Sequence, residues 1–282
     1  MIAIANTPSL KASTRLGLSV MLQRCVSGVD SAHTQQVGFM HRATRTLPIA
    51  LVATVLAACG SDSNGPAPGF ECLGQALPTT APTVVNVTGM VTANVLSPSP
   101  VPHAFVYGFR TGDTTHLAGD TTNTPGQYSL AIPTDGTPVN GYLAISDSGH
   151  HIDTYAYPAV PLAADVTENV LMVSSNEFSL LAGAAGINPV AGDGFIGVVV
   201  RNCQGTSVAG ATVTSMPTGT VRYNAGGLPS STATSTAADG VAYIANVGPG
   251  NVTVQATASG HTLRQHTVNA RANAITLTEI QP

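Results

Sequence analysis

Residues 194–216 read GFIGVVVRNCQGTSVAGATVTSM, and residues 235–261 read STAADGVAYIANVGPGNVTVQATASGH. Short runs of Val, Ile, Ala, Thr and Tyr alternate with Gly, Pro, Asn and Asp, without a 3.6-residue apolar period. Branched and aromatic side chains suit a pleated surface, and the Gly and Pro positions supply the turns between strands. NAITLTEI at 273–280 closes the block. Working outward, the same skeleton recurs upstream as VTGMVTANVLSPSPVPHAFVYGF (87–109), TTNTPGQYSLAIPTDGTPVNGYLAISDSGH (121–150) and TENVLMV (167–173). In each block a Gly/Val strand, a Pro/Gly/Ser turn and a second Val strand precede a polar-Gly turn, Asp239-Gly240 or Pro125-Gly126. An aromatic-bearing strand and a strand ending in Gly-His follow. The pattern predicts an all-β chain of tandem Greek-key β-sandwiches, each burying alternate residues between two sheets.

One stretch departs from this. NEFSLLAGAAG (176–186) places Phe178, Leu181, Ala182 and Ala185 on one helical face, with Asn176 as the expected N-cap and Gly186 as the stop. The reading is therefore a first sandwich over 82–173, a short helix and linker over 174–194, and a second sandwich over 195–282. Ser174, Ser175 and Ser179 lack a Gly-x-Ser-x-Gly elbow and are read as capping residues.

The upstream region carries an export signal. MHRATRTLPIALVATVLAAC (40–59) sets His41, Arg42 and Arg45 before an uncharged, mostly apolar run that ends in small residues and a cysteine. That run is short for a bilayer span. Leu56-Ala57-Ala58-Cys59 resembles the lipobox of bacterial lipoproteins. The resemblance implies a signal peptide over 40–58, diacylation of the Cys59 thiol and anchoring to a membrane. Residues 59–81, with GSDSNGPAPG at 60–69, are expected to form a flexible tether. Residues 1–39 show no regular period and are expected to be a disordered upstream segment or the result of a start placed before Met40. Gly60 stands where an Asp often marks inner-membrane retention, so the outer membrane is the expected location.

From Cys59 onward the chain has five arginines, no lysine and thirteen acids, a net charge of −8. This balance argues against nucleic acid as a partner. With Cys25 in the leader and Cys59 acylated, Cys72 and Cys203 remain as a candidate disulfide in an oxidising compartment. Two unpaired, partly buried thiols are the alternative.

The second block is similar to the carboxypeptidase regulatory-like domain family, a prealbumin-like (transthyretin-like) sandwich. The likeness rests on Gly197-Val198-Val199-Val200, Val208-Ala209-Gly210-Ala211-Thr212-Val213, 236–244 with Asp239-Gly240, and 247–256 with Pro249-Gly250. It covers 195–280 well and 83–172 loosely, where Pro102-His103-Ala104 replaces Val-Ala-Gly-Ala. These residues specify a scaffold and convey no activity. The resemblance implies a non-catalytic module for spacing, adhesion or binding of a protein or glycan, with no cofactor.

Two enzyme families of the same shape provide tests. The Tyr-Arg-Gly-Ser tail of hydroxyisourate hydrolases has no counterpart in TEIQP. Intradiol dioxygenases hold iron with two tyrosines and two histidines. The run His150-His151-x-Asp153-x-Tyr155-x-Tyr157 could place His151, Asp153, Tyr155 and Tyr157 on one strand face, so a metal-dependent enzyme stands as a second alternative. The default for that run is a polar, solvent-facing edge with no metal. Glycan binding is the first alternative to a structural or partner-binding role. It would need exposed aromatic faces. The chain has no Trp. Tyr107, Tyr128, Tyr142 and Tyr243 fall at strand positions where core packing is the default. That leaves Tyr155, Tyr157 and Tyr223, together with His151, as candidate ligand-binding residues. His261 and His266 are expected to face solvent.

Overall fold

The computed structural model describes residues 67–282. Residues 1–66, with the signal run and Cys59, lie outside the described residues. The described chain is all-β apart from one short helix. The first half runs β1 (Val84–Ala93), β2 (Ser99–Pro100), β3 (Phe105–Arg110), β4 (His116–Thr121) and β5 (Gln127–Pro133). It continues through β6 (Gly141–Ser146), β7 (Thr154–Tyr157), β8 (Val166–Thr167) and β9 (Val170–Met172). After α1 (Ser175–Ala184) come β10 (Gly194–Val200), β11 (Thr212–Met216), β12 (Thr220–Ala225), β13 (Leu228–Ser230) and β14 (Val241–Val247). The last strands are β15 (Gly250–Ala258), β16 (His261–Thr262), β17 (His266–Ala270) and β18 (Ile275–Ile280).

The two halves close their turns with the same hydrogen bonds. Val91 N donates to Gly126 O and Val200 N to Gly240 O, at 2.8 and 2.9 Å. Both glycines have positive φ, +79° and +70°, and a Cβ on either would fall 2.6 Å from that valine carbonyl. The buried Thr122 Oγ1 accepts from Ala104 N and donates to Val101 O. Thr236 Oγ1 does the same with Ala211 N and Val208 O. A buried hydroxyl satisfied in both directions fixes its strand's position. The equivalence puts His103 (φ +61°) at the Gly210 position (φ +76°) and sets Phe105 opposite Thr212 in the repeat.

Each half has two sheets. In the first, β1 pairs with β5, β9, β8 and β2, and a second sheet runs β4-β3-β6-β7. In the second, β13-β12-β14-β10-β18 faces a sheet in which β15 pairs with β11, β16 and β17. The halves are fused because β7 pairs in parallel with β18, from Ile275↔Thr154 to Thr278↔Tyr157. One nine-stranded sheet results, in the order β13-β12-β14-β10-β18-β7-β6-β3-β4. The strands of 82–173 and 195–282 are thus hydrogen-bonded together across the linker expected to separate them. Pairing between residues over a hundred positions apart leaves no local trace in sequence.

The cores lie on opposite faces of this shared sheet. One contains Val106, Leu143, Ile145, Ala156, Leu277 and Tyr243; the other contains Ile196, Val198, Val200, Ala242, Ile244 and Ile280. Strand β10 is buried at every residue because both of its faces are covered. Helix α1 adds Phe178, Leu181, Ala182 and Ala185 to the first core, on the face its sequence predicts. Its N-cap is Ser174 rather than Asn176. The Ser174 hydroxyl accepts from Glu177 N at 3.2 Å, and Glu177 Oε1 turns to Val95 N at 2.6 Å. Ser174-x-x-Glu177 is a capping-box spacing, which outranks a lone Asn.

The stretch 67–81, expected to be the distal tether, is packed against the second half over its first residues. Phe70 is buried in the second core, Cys203 N donates to Gly69 O at 2.8 Å, and Arg264 Nη2 donates to Gln75 O at 2.8 Å. Cys72 and Cys203 are joined by a disulfide across a separation of 131 residues. In the chain-entropy picture a loop of this length stabilises the fold by about 4–5 kcal/mol.

Three ionisable side chains are buried where the halves meet. Arg201 Nε, at the end of β10, contacts Glu279 Oε1 of β18 at 2.5 Å. Glu168, between β8 and β9, is held by its backbone, its N–H donating to Thr88 O and its carbonyl accepting from the Tyr128 hydroxyl. Burial, then the Glu279 charge, pushes the Glu168 carboxyl up to about 8, with Arg201 opposing. The folded state therefore holds a proton that the unfolded chain releases near the ordinary 4.5. The resulting stabilisation is complete below that value and is lost as pH rises toward 8. Unfolding free energy should fall with pH across this window, by at most about 1.4 kcal/mol per unit, and Glu168→Gln should flatten the slope. Urea titrations at a series of pH values measure it; an unchanged slope in the variant would assign the pH dependence elsewhere.

Candidate functional site

The two sandwiches place their separate small sheets on opposite faces of the shared sheet. Over β4, β3, β6 and β7, the face turned away from the first core carries Phe105, Tyr107, Phe109, Tyr142, Tyr155 and Tyr157. Strand alternation dictates this, since Val106, Leu143, Ile145 and Ala156 point inward. Phe105 is 40% exposed; Tyr107, Phe109, Tyr142 and Tyr155 are half-buried; Tyr157 is buried.

These rings form a continuous surface. Phe105 and Tyr107 are nearly parallel, with centroids 6.4 Å apart and an interplanar angle of 8°. Tyr107 packs against Gly119 of β4, where a Cβ would come within 2.7 Å of both Cδ1 and Cε1. That glycine lets the ring settle on the neighbouring strand. His116 follows at 4.9 Å from Tyr107 and 6.2 Å from Phe109. Phe109 stacks with Tyr142 at 5.3 Å, and Tyr142 with Tyr157 at 5.0 Å. At the far end, the Arg271 guanidinium sits 4.1 Å from the Tyr155 ring centroid and 4.8 Å from that of Tyr142. Burial raises the Tyr155 hydroxyl above the ordinary range against the opposing Arg271 charge, so this phenol stays protonated at neutral pH.

The second half provides an internal control. Matched registers place Phe105, Tyr107 and Phe109 at the positions of Thr212, Thr214 and Met216. Tyr142 answers to Thr253, Tyr155 to Gln265 and Tyr157 to Thr267. On β11 the fold is built with Thr and Met where β3 carries Phe105, Tyr107 and Phe109, whereas Tyr142, Tyr155 and Tyr157 pack against the second core.

The residues expected from sequence are only partly brought together. Tyr155 is half-buried on this face, whereas Tyr157, expected to have a surface role, is 2% exposed and belongs to the second core, because β7 lies beside β18 where that core begins. Tyr223 is also buried in the second core, where its hydroxyl accepts from Val213 N at 2.9 Å. The expectation failed because β12 turns that side chain under the β11 sheet. His151 also stands apart, in the loop before β7. Its Nδ1 lies 2.5 Å from Asp147 Oδ2 and its N–H donates to Asp147 Oδ1, while His150 Nδ1 contacts Asp147 O at 3.0 Å. The His150–Tyr157 run thus supplies a loop clasp followed by an aromatic strand. Among the described residues, no group of three or more His, Cys, Asp or Glu side chains is placed to hold a metal. His266 is half-buried rather than solvent-facing, its Nδ1 2.7 Å from Thr278 Oγ1, and burial lowers its proton affinity. Tyr128 and Tyr243 are in the core as expected, whereas Tyr107 and Tyr142 are on the open face.

No family model and no curated protein matches this chain. Among solved structures, it is similar to the Bacillus anthracis TIE protein at 12% identity and TM-score 0.24, over 70% of this chain and 35% of that one. The shaft pilin SpaA of Lactobacillus rhamnosus GG is 10% identical with TM-score 0.25, covering 71% and 98%. The major pilin RrgB of Streptococcus pneumoniae is 8% identical with TM-score 0.22, covering 72% and 49%. The chain spans about a third of the length of the first of these. Among the described residues no helix is long and apolar enough to cross a membrane.

If the aromatic side chains are additions to the scaffold, Phe105→Thr and Tyr107→Thr should fold normally. Each should lower unfolding stability by less than about 1 kcal/mol, the scale of an exposed cross-strand pair. Denaturant unfolding monitored by circular dichroism checks this, and a loss of several kcal/mol would mark the rings as structural.

Proposed function

We propose that this chain is a non-catalytic, exported lipoprotein that binds a glycan on the aromatic face of its shared sheet. The observation that carries the reading is the internal comparison: the outward positions of β3 hold Phe105, Tyr107 and Phe109 where those of β11 hold Thr212, Thr214 and Met216. A flat apolar ring can stack on the C–H face of a sugar, and Tyr adds a hydroxyl for its polar edge. Sequence alone ranks a structural or partner-binding role ahead of glycan binding because the chain has no Trp and the tyrosines of β3 and β6 are assigned to the core. The placement of Tyr107 and Phe105 on an outward face supports the glycan reading.

Acylation of Cys59, with release of residues 1–58, would hold the sandwiches at a bilayer, the outer membrane by the residue that follows. Each buried methylene of the acyl chains adds about 0.8 kcal/mol. The short span from Cys59 to the packed residue Phe70 would keep the protein close to that surface.

A glycan array with the purified full-length protein tests the binding. Tyr107→Ala and Phe105→Ala should each weaken retention about 3- to 10-fold, the free-energy range of one stacked ring. Thr214→Ala, at the matched position, should leave it unchanged. No signal on the array, or equal loss in all three variants, would remove the glycan reading. For the anchor, a fatty-acid precursor fed to expressing cells should label the wild type and leave Cys59→Ala unlabelled.

A further inference from the structure

We infer that the glycan held on this face carries carboxylate groups and that Arg271 is the residue that reads them. The inference rests on the glycan reading above and deepens it. Arg271 lies between β17 and β18, where the second half's small sheet ends beside the open aromatic face. Its guanidinium is sandwiched at the Tyr142 and Tyr155 rings and reaches the Tyr157 hydroxyl. The ion pairs among the described residues are Arg110–Asp113, His151–Asp147 and Arg201–Glu279, so Arg271 has no carboxylate of the described residues in contact. Its Nε is buried without a hydrogen-bond partner. Asp153 is the exposed acid whose charge reaches Tyr155, and it makes no ion pair with Arg271.

A guanidinium stacked on rings keeps its charge and turns its N–H edge outward, away from the π faces. Held this way it is pre-organised, and an arriving planar carboxylate can take two parallel N–H bonds from the terminal nitrogens. From Cys59 onward thirteen acids face five arginines, so every polyanion meets a general repulsion that grows with its charge density. That repulsion weighs less on a polymer with one charge per acidic sugar than on a densely sulfated or phosphorylated one. A polyuronate carries one planar carboxylate per acidic sugar and apolar C–H faces between them. Stacking on Phe105 and Tyr107, followed by a carboxylate at Arg271, matches that alternation. The continuity of the ring surface through His116, Phe109 and Tyr142 gives the chain its path.

Calorimetric titration of the full-length protein tests the assignment, with polygalacturonate, alginate and hyaluronate each compared with its carboxyl-reduced, neutral form. The wild type should bind at least one polyuronate about tenfold more tightly than its neutral form. Arg271→Gln should lose that preference while keeping the affinity for the neutral polymer. Arg271→Lys should retain only part of it. In the wild type, added salt should weaken the polyuronate and spare the neutral form, a readout that does not depend on the variants folding. Equal wild-type binding of acidic and neutral forms, salt-insensitive binding, or a preference that survives in Arg271→Gln would each overturn the role of Arg271 and leave the glycan reading standing. Binding to none of the polymers, together with a blank glycan array, would remove both.

Discussion

The parallel pairing of β7 with β18 is the constraint on which the remaining architecture depends. Without it there would be two ordinary sandwiches in series. With it, the second sheet of the first half and the first sheet of the second half become one surface. Each half must then stack its remaining sheet on that surface, and the two remaining sheets fall on opposite faces. An open face over β4, β3, β6 and β7 follows from this stagger. The aromatic face is open at Phe105 and covered toward Tyr157, where it meets the second core, and Arg271 reaches it there because the covering sheet of the other half stops beside it.

The seam is stabilised by more than backbone hydrogen bonds. The buried Arg201–Glu279 contact links the end of β10 to β18, and Glu168 brings the first half's small sheet to the same place. Two acids beside one guanidinium cannot both ionise cheaply in a low-dielectric site, so one keeps its proton. At the other side of the second half, the disulfide and Phe70 fasten the incoming segment to the body that contains β10 and β18.

The duplicated hydrogen-bond pattern around Thr122 and Thr236 makes the two halves comparable position by position. That comparison separates what the scaffold needs from what has been placed on it. On β3 and β11 the matched outward positions are Phe105, Tyr107 and Phe109 in one half and Thr212, Thr214 and Met216 in the other.

Local signals in the sequence determined much of this. Alternating β-rich runs and Gly turns specified strands and sandwiches, because burial of alternate residues is written at short range. The apolar spacing of Phe178, Leu181, Ala182 and Ala185 specified the helix and its buried face, although the Ser174–Glu177 spacing was the better guide to its start. Cys72 and Cys203 were legible as a pair only by elimination. The site was legible in part: Tyr155 stood out, while Tyr107 was assigned to the core and Tyr157 and Tyr223, both buried in the second core, were assigned to the surface. A strand's alternation says which residues share a face but never which face is covered. The tertiary structure decided that, through a pairing between strands more than a hundred residues apart that leaves no mark in either strand alone.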